Sequence, residues 1–224
     1  MGDGVYEDNH LIIVNKSSSD IVQGDKTGDQ PLSEKVAEFL RIKYNKPGDA
    51  FIGVVHRLDR PVSGLVVFAK TSKALARMNE LFREDKVKKT YEAIVKNPPP
   101  TLQGELVHFL VRNPQKNKSF AYDKVQKNAK EAKLGYKVIG KSKSFTLLEI
   151  DLQTGRHHQI RTQLSKIGCP IKGDLKYGYP RSNPNGGISL HARRISFIHP
   201  VSKKEMDVVA PYPEGDLWQE FELL

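Results

Sequence analysis

The sequence predicts an α+β fold, and three observations carry that prediction. Apolar runs of strand length recur along the chain. Only three stretches, 31–44, 72–83 and 154–168, space their apolar residues as helices do. Strands and helices do not alternate regularly, as parallel β-α-β units would. No internal repeat and no linker-like segment breaks the chain, so residues 1–224 are expected to form a single domain.

Residues 11–14 form a short apolar strand ending at Asn15-Lys16, and the Ser-, Gly- and Asp-rich residues 17–30 form a loop. Leu32, Val36, Phe39 and Leu40 give the first helix its apolar face, with Ser33 as its cap and Pro47-Gly48 as its stop. Two apolar strands, 51–55 and 65–69, flank a polar, turn-prone segment. The second helix follows, capped by Ser72, with Ala74, Leu75, Met78, Leu81 and Phe82 on one face. Residues 90–95 read as a strand with Tyr91, Ala93 and Val95 on one side; 97–101 is a proline-rich break and 105–111 another strand. Residues 133–139 and 145–152 read as paired strands about a turn at 140–144. Thr154 caps a third helix that buries Ile160, Leu164 and Ile167 and ends at Gly168. Residues 171–178 and 181–187 are loop and turn, 189–198 and 206–209 a strand pair, and 217–224 a short acidic-apolar tail.

A chain of 224 residues with 38% hydrophobic content can bury a core. Lys plus Arg number 36 and Asp plus Glu 26, a net charge of +10. That excess suits a polyanion, nucleic acid above all, or an anionic membrane; a merely solubilising surface fits it equally well. Residues 112–133 concentrate it: Arg112, Lys116, Lys118, Lys124, Lys127, Lys130 and Lys133, with Phe120 and Tyr122 between them. Interleaved cations and rings suit a nucleic-acid contact surface, and equally a solvated hairpin whose rings point inward. No apolar run approaches the roughly 18 residues of a membrane span, and residues 1–9 lack a signal-peptide core. Cys169 is alone, which excludes an internal disulfide and a cysteine-based zinc site. A reducing cytoplasm is the expected location.

Chemistry concentrates in residues 56–71, H-R-L-D-R-P-V-S-G-L-V-V-F-A-K-T, where Asp59 sits among His56, Arg57 and Arg60. An Asp between arginines is commonly a surface ion pair. At the end of two apolar strands it can also serve as a nucleophile or base, kept ionised by a guanidinium. Arg57, Arg60, Arg156 and Arg161 are the candidate donors, and spacing leaves the choice open. No metal site is expected: His157 and His158 are adjacent, and adjacent helical residues point about 100° apart. Phosphate loops, dinucleotide fingerprints and a nucleophile elbow are missing from the sequence, so no cofactor is expected.

Several segments, in order, resemble the RluA family of pseudouridine synthases. H-R-L-D-R-P-V-S-G-L-V-V-F-A-K resembles the family's aspartate motif and K-K-T-Y-E-A-I-V (88–95) its tyrosine motif. L-Q-T-G-R-H-H-Q-I-R, followed by I-G-C-P-I-K-G-D-L-K-Y-G, resembles its arginine motif. E-D-N-H-L-I-I-V-N-K resembles its opening strand and S-L-H-A-R-R-I-S-F-I-H-P its C-terminal strand. The resemblance implies a mixed, largely antiparallel sheet with flanking helices and a central active-site cleft. It implies isomerisation of uridine to pseudouridine in ribosomal or transfer RNA, without cofactor or metal. Asp59 matches the essential aspartate, Tyr91 the tyrosine that lies against the base, and Arg161 the arginine that pairs with the aspartate. Arg57 matches a residue that helps to open the RNA, and Leu190 an apolar pocket residue. His56, Arg57 and Leu190 are thus expected to bind substrate.

Three departures stand out. Lys16-Ser17-Ser18-Ser19 replaces the common Lys-Pro-x-Gly, which implies a differently shaped or more mobile loop. Val62 and His157 replace residues that commonly carry hydroxyls. The residues before the aspartate motif already hold the opening strand, so the resemblance implies a catalytic domain without an N-terminal S4 RNA-binding domain, expected to act as a monomer. Two other classes compete. An RNA-binding or chaperone-like protein would need only the basic surface, not the Asp59, Tyr91 and Arg161 set. A glycosidase would need two carboxylates, and only Asp174 offers itself as the second.

Overall fold

The computed structural model describes residues 3–224. Its strands are β1 (Asp3–Glu7), β2 (Leu11–Lys16), β3 (Gly53–Val54), β4 (Ser63–Ala69), β5 (Lys88–Val95), β6 (Gln103–Asn113), β7 (Lys118–Tyr122), β8 (Lys130–Lys141), β9 (Thr146–Leu152), β10 (Leu190–Ile198), β11 (Glu205–Val209) and β12 (Glu222–Leu223). The helices are α1 (Leu32–Lys43), α2 (Ser72–Arg83) and α3 (Gln159–Lys166). The fold is α+β, with largely antiparallel strands. The chain packs as two compact units. One holds the chain up to Lys88 together with Ala192–Pro211, the other Lys89–His191 together with Tyr212–Leu224.

In the first unit β2 lies between β1 and β4, antiparallel to both, with Ile12 opposite Phe68 and Val14 opposite Val66. β4 is buried throughout and β2 nearly so, which is why both read as unbroken apolar runs rather than alternating ones. α2 sets Ala74 and Met78 into a cluster with Leu11, Ile13, Leu65, Val67, Ile195 and Phe197. Leu75, Leu81 and Phe82 complete the face expected from the spacing. The caps differ from expectation. Thr71, in extended conformation, accepts the Ala74 N–H at 3.1 Å, because Ser72 is already helical. α1 has no side-chain cap; Ile21 and Val22 carbonyls in the preceding loop accept the N–H groups of Leu32 and Ser33.

In the second unit the antiparallel order is β5-β9-β8-β6-β7, with β12 at the end of β8. β8 continues through Gly140, which the sequence placed in a turn. A register shift between Val138 and Gly140 absorbs the extra residue, and the turn falls at 142–145. The basic stretch contains a true strand, β7, paired with β6. The 3-10 turn Leu217–Gln219 places Trp218 in a cluster with Ile94 and Leu147. No helix among the described residues is long and apolar enough to cross a membrane.

Candidate active site

The Asp59 loop joins β3 to β4 in the first unit. Gly64, the second residue of β4, has φ +121°, and a Cβ there would stand 2.4 Å from the Ala192 carbonyl oxygen. The glycine of the motif therefore answers both to its dihedral and to the close backbone approach. His56 begins the loop. Its Nε2 accepts the Val67 N–H at 2.9 Å, and its ring stacks on Phe82 at 4.9 Å. An accepting Nε2 places the proton of the neutral ring on Nδ1. His56 thus pins the loop to β4.

Asp59 is half-buried, and its carbonyl accepts the Val62 N–H at 2.9 Å, closing a tight turn. The next carbonyl, that of Arg60, accepts from Lys16 Nζ at 3.0 Å. Lys16 ends β2 and is 1% exposed. Its ammonium also donates to the carbonyls of Ser17 (2.8 Å) and Asp20 (2.7 Å). Burial pushes its pKa down to about 7, opposed by the charges of Asp20 and Asp59. The lysine gathers the loop after β2, expected to be differently shaped or more mobile, and the Asp59 turn about one nitrogen. The Arg60 guanidinium goes to the Asp29 carboxylate and to the Ser19 carbonyl. Arg57 is exposed.

The second unit carries Tyr91, Arg161 and Leu190. Tyr91 is half-buried on β5, opposite Ile150, where the strand turns from exposed to fully buried. Leu190 opens β10 and is 3% exposed. α3 begins at Gln159, five residues after the expected cap, because His158 takes a left-handed conformation with φ 53°. Thr154 instead donates to Gln159 Oε1 at 2.7 Å. Gln159 and Gln163, both buried, bond to each other and to the Lys133 and Ala132 carbonyls of β8. This polar stripe fixes α3 against the strands and leaves Arg161 on another side.

Arg161 gives Nε and Nη2 to Asp174 at 2.8 and 2.9 Å, a two-pronged pair whose side chains are 7% and 1% exposed. The guanidinium lies 5.0 Å from the centre of the Tyr177 ring. The Tyr177 hydroxyl accepts the Ser119 N–H at 2.9 Å and donates to His158 Nδ1 at 2.7 Å. His157 stacks on His158 at 3.7 Å, accepts from Ser119 Oγ and donates to Asn117 Oδ1. Burial first, then the neighbouring cations Arg112, Arg161 and Lys176, hold His157 down to about 4. Burial and Arg161 push His158 down as well. Both rings are neutral at pH 7, which sets these donor and acceptor roles.

The site residues therefore fall into two sets: His56, Arg57 and Asp59 in one unit, Tyr91, Arg161 and Leu190 in the other. Asp174, the one carboxylate the sequence offered as a glycosidase's second, has both oxygens taken by N–H groups of the Arg161 guanidinium. The sequence reading passed over Lys16, the Asp174 pairing and the Tyr177 hub. A lysine ending a strand that opens on four apolar residues is the signal that could have marked Lys16. Among the described residues no group of three or more His, Cys, Asp or Glu could hold a metal ion.

A family model described as RNA pseudouridylate synthase matches residues 10–166, a span that contains Asp59, Tyr91 and Arg161. The chain belongs to that family, in its RluA branch. It is 33% identical over 214 residues to an uncharacterized RNA pseudouridine synthase of Synechocystis, covering 94% of this chain and 65% of that one. It is 35% identical over 214 residues to ribosomal large subunit pseudouridine synthase C of Vibrio cholerae, covering 92% and 64%. The chain thus spans a little under two thirds of the length of these relatives. Among solved structures, human RNA pseudouridylate synthase domain containing 4 matches with a TM-score of 0.78 at 24% identity, over 94% of this chain and 88% of that one. Human RNA pseudouridylate synthase domain containing 1 matches at 0.71 and 22%, over 94% and 83%. Both likenesses are of fold.

Proposed function

We propose that this protein isomerises uridine to pseudouridine within RNA, with Asp59 as the nucleophile or base. The observation that carries this reading is the family match over residues 10–166, a span that includes Asp59, Tyr91 and Arg161; the motifs around those three residues resemble the family's. The local geometry supports the reading. Asp59 sits in a turn braced on its own carbonyl and on the next, so its carboxylate leaves a fixed backbone. Arg161 is held on two edges by Asp174 and against Tyr177, which fixes its guanidinium before any substrate arrives.

The reaction balances without a co-reactant. The N1–C1′ bond breaks, the uracil turns, a C5–C1′ bond forms, the C5 proton leaves and N1 gains one. The base has to leave the stack to present C1′. On this reading Tyr91 supplies a ring face for it, Leu190 an apolar contact, Arg57 and His56 contacts to the RNA, and Arg161 a guanidinium held in place by Asp174. Ribosomal RNA is the proposed substrate, since the relatives bear that designation. The test is pseudouridine mapping of total RNA from cells with and without the gene. Loss at one or a few uridines of large-subunit RNA is the expected result. Loss confined to transfer RNA would move the substrate, and no loss anywhere would leave an RNA-binding protein without the activity.

A further inference from the structure

We infer that the groove between β7, the last turn of α3 and the 3-10 turn Leu175–Tyr177 binds the single-stranded RNA that flanks the target uridine. The inference rests on the proposed function for its substrate and adds the surface that holds it. The groove encloses about 560 Å³, within the range of ligand sites. Lys118, Phe120 and Tyr122 line it as alternate residues of one strand; Lys166 and Lys176 contribute from the opposite walls.

The lysines are held in place. Lys118 Nζ stands 5.5 Å from both the Phe120 and Tyr177 ring centres, and Lys116 Nζ 5.9 Å from Phe120. Such contacts fix ammonium groups that would otherwise sample many rotamers. Tyr122 and Leu175 are exposed, 39% and 55%, and give the groove apolar surface that no neighbouring side chain covers fully. Asp123, 76% exposed in its side chain, stands 3.8 Å from Lys166.

Fixed ammonium groups beside exposed rings match a polynucleotide with unpaired bases. Phosphates meet the lysines, and bases lie on the rings. A duplex keeps its base faces stacked inside and gives rings nothing to stack on. The walls do not need to reorganise on binding. Lys176 Nζ donates to the Asn117 carbonyl across them at 2.9 Å, and Ser119 is bonded to both Tyr177 and His157. Tyr177 also links the groove to Arg161, since both Lys118 and the Arg161 guanidinium lie over its ring.

The experiment measures binding of the full chain to a labelled twelve-residue oligouridylate and to a duplex RNA of equal length across a KCl series. The variants are Lys118→Gln with Lys166→Gln, and Tyr122→Ala. The double lysine variant is expected to flatten the slope of log K against log[KCl] on oligouridylate by about 1.4, near 0.7 for each phosphate that no longer meets a lysine. Tyr122→Ala is expected to weaken oligouridylate roughly ten-fold with the slope unchanged. Duplex affinity is expected to move much less in both. Unchanged oligouridylate binding in both variants, or an equal loss on the duplex, overturns the inference. Tritium release from RNA labelled at uridine C5 by the unaltered protein separates the two proposals. Release with groove variants that bind normally removes the groove alone, and no release removes the activity whatever the groove does.

Discussion

At the scale of single residues, the buried pair Arg161–Asp174 is the element whose loss is easiest to foresee. Removing the guanidinium leaves a carboxylate that is 1% exposed without its two donors. Arg161→Ala is expected to destabilise the protein by about 3–5 kcal/mol in urea unfolding. The double variant Arg161→Ala with Asp174→Ala is expected to recover part of that loss, because it removes the stranded charge. An Arg161→Ala protein as stable as its parent would show that the pair contributes nothing. Sequence reading singled out Arg161 and paired it in prospect with Asp59. The Asp174 partnership escaped it because the acid lies in a loop of no regular period, and only the left-handed start of α3 at His158 decides which way Arg161 points. The turn that carries Asp59 was legible, since Pro61, Ser63 and Gly64 stand between two apolar runs. Its Gly64 is demanded by a positive φ and a backbone at contact.

At the scale of elements, the Asp59 turn is tied to the end of β2 by one buried lysine. The sequence made β2, β4 and α2 plain, because burial on both faces and a 3.6-residue period leave strong patterns. It missed β1 and β12, both short, and left β7 inside a stretch read either as a hairpin or as a nucleic-acid contact surface, because its alternation lies among lysines. Lys16 has a testable pH signature. Its folded pKa, about 7, lies below the ordinary lysine value. Between those two values the unfolded chain binds more protons than the native one. Stability therefore rises with pH across that window through this residue, by up to about 1.4 kcal/mol per pH unit. Below pH 7 the cost of burying the charge is fully present. Lys16→Met is expected to lack that slope, so the difference between the two proteins' unfolding free energies, measured at pH 7, 8, 9 and 10, is expected to change with pH. Parallel curves would mean that the ammonium titrates as it does in water.

At the scale of the whole molecule, a net charge of +10 gives phosphate backbones a general attraction, screened by salt, on which one carboxylate has little weight. The α+β class was legible from strand-length runs and three helical periods. The division into two compact units was not, because two of the three passages between them fall inside β5 and β10 and the third, at Pro211-Tyr212, follows β11 with no linker-like composition. Local pattern cannot reveal a boundary that falls within a strand. Charge alone leaves a binding protein and an enzyme equally possible, and Asp59 separates them. The decisive measurement is tritium release from RNA labelled at uridine C5, made on the unaltered protein and on Asp59→Asn, with RNA affinity measured alongside. Release by the unaltered protein, none by Asp59→Asn, and matching affinities are the expected result. Release by Asp59→Asn at an undiminished rate would contradict the assignment of the chemistry to Asp59.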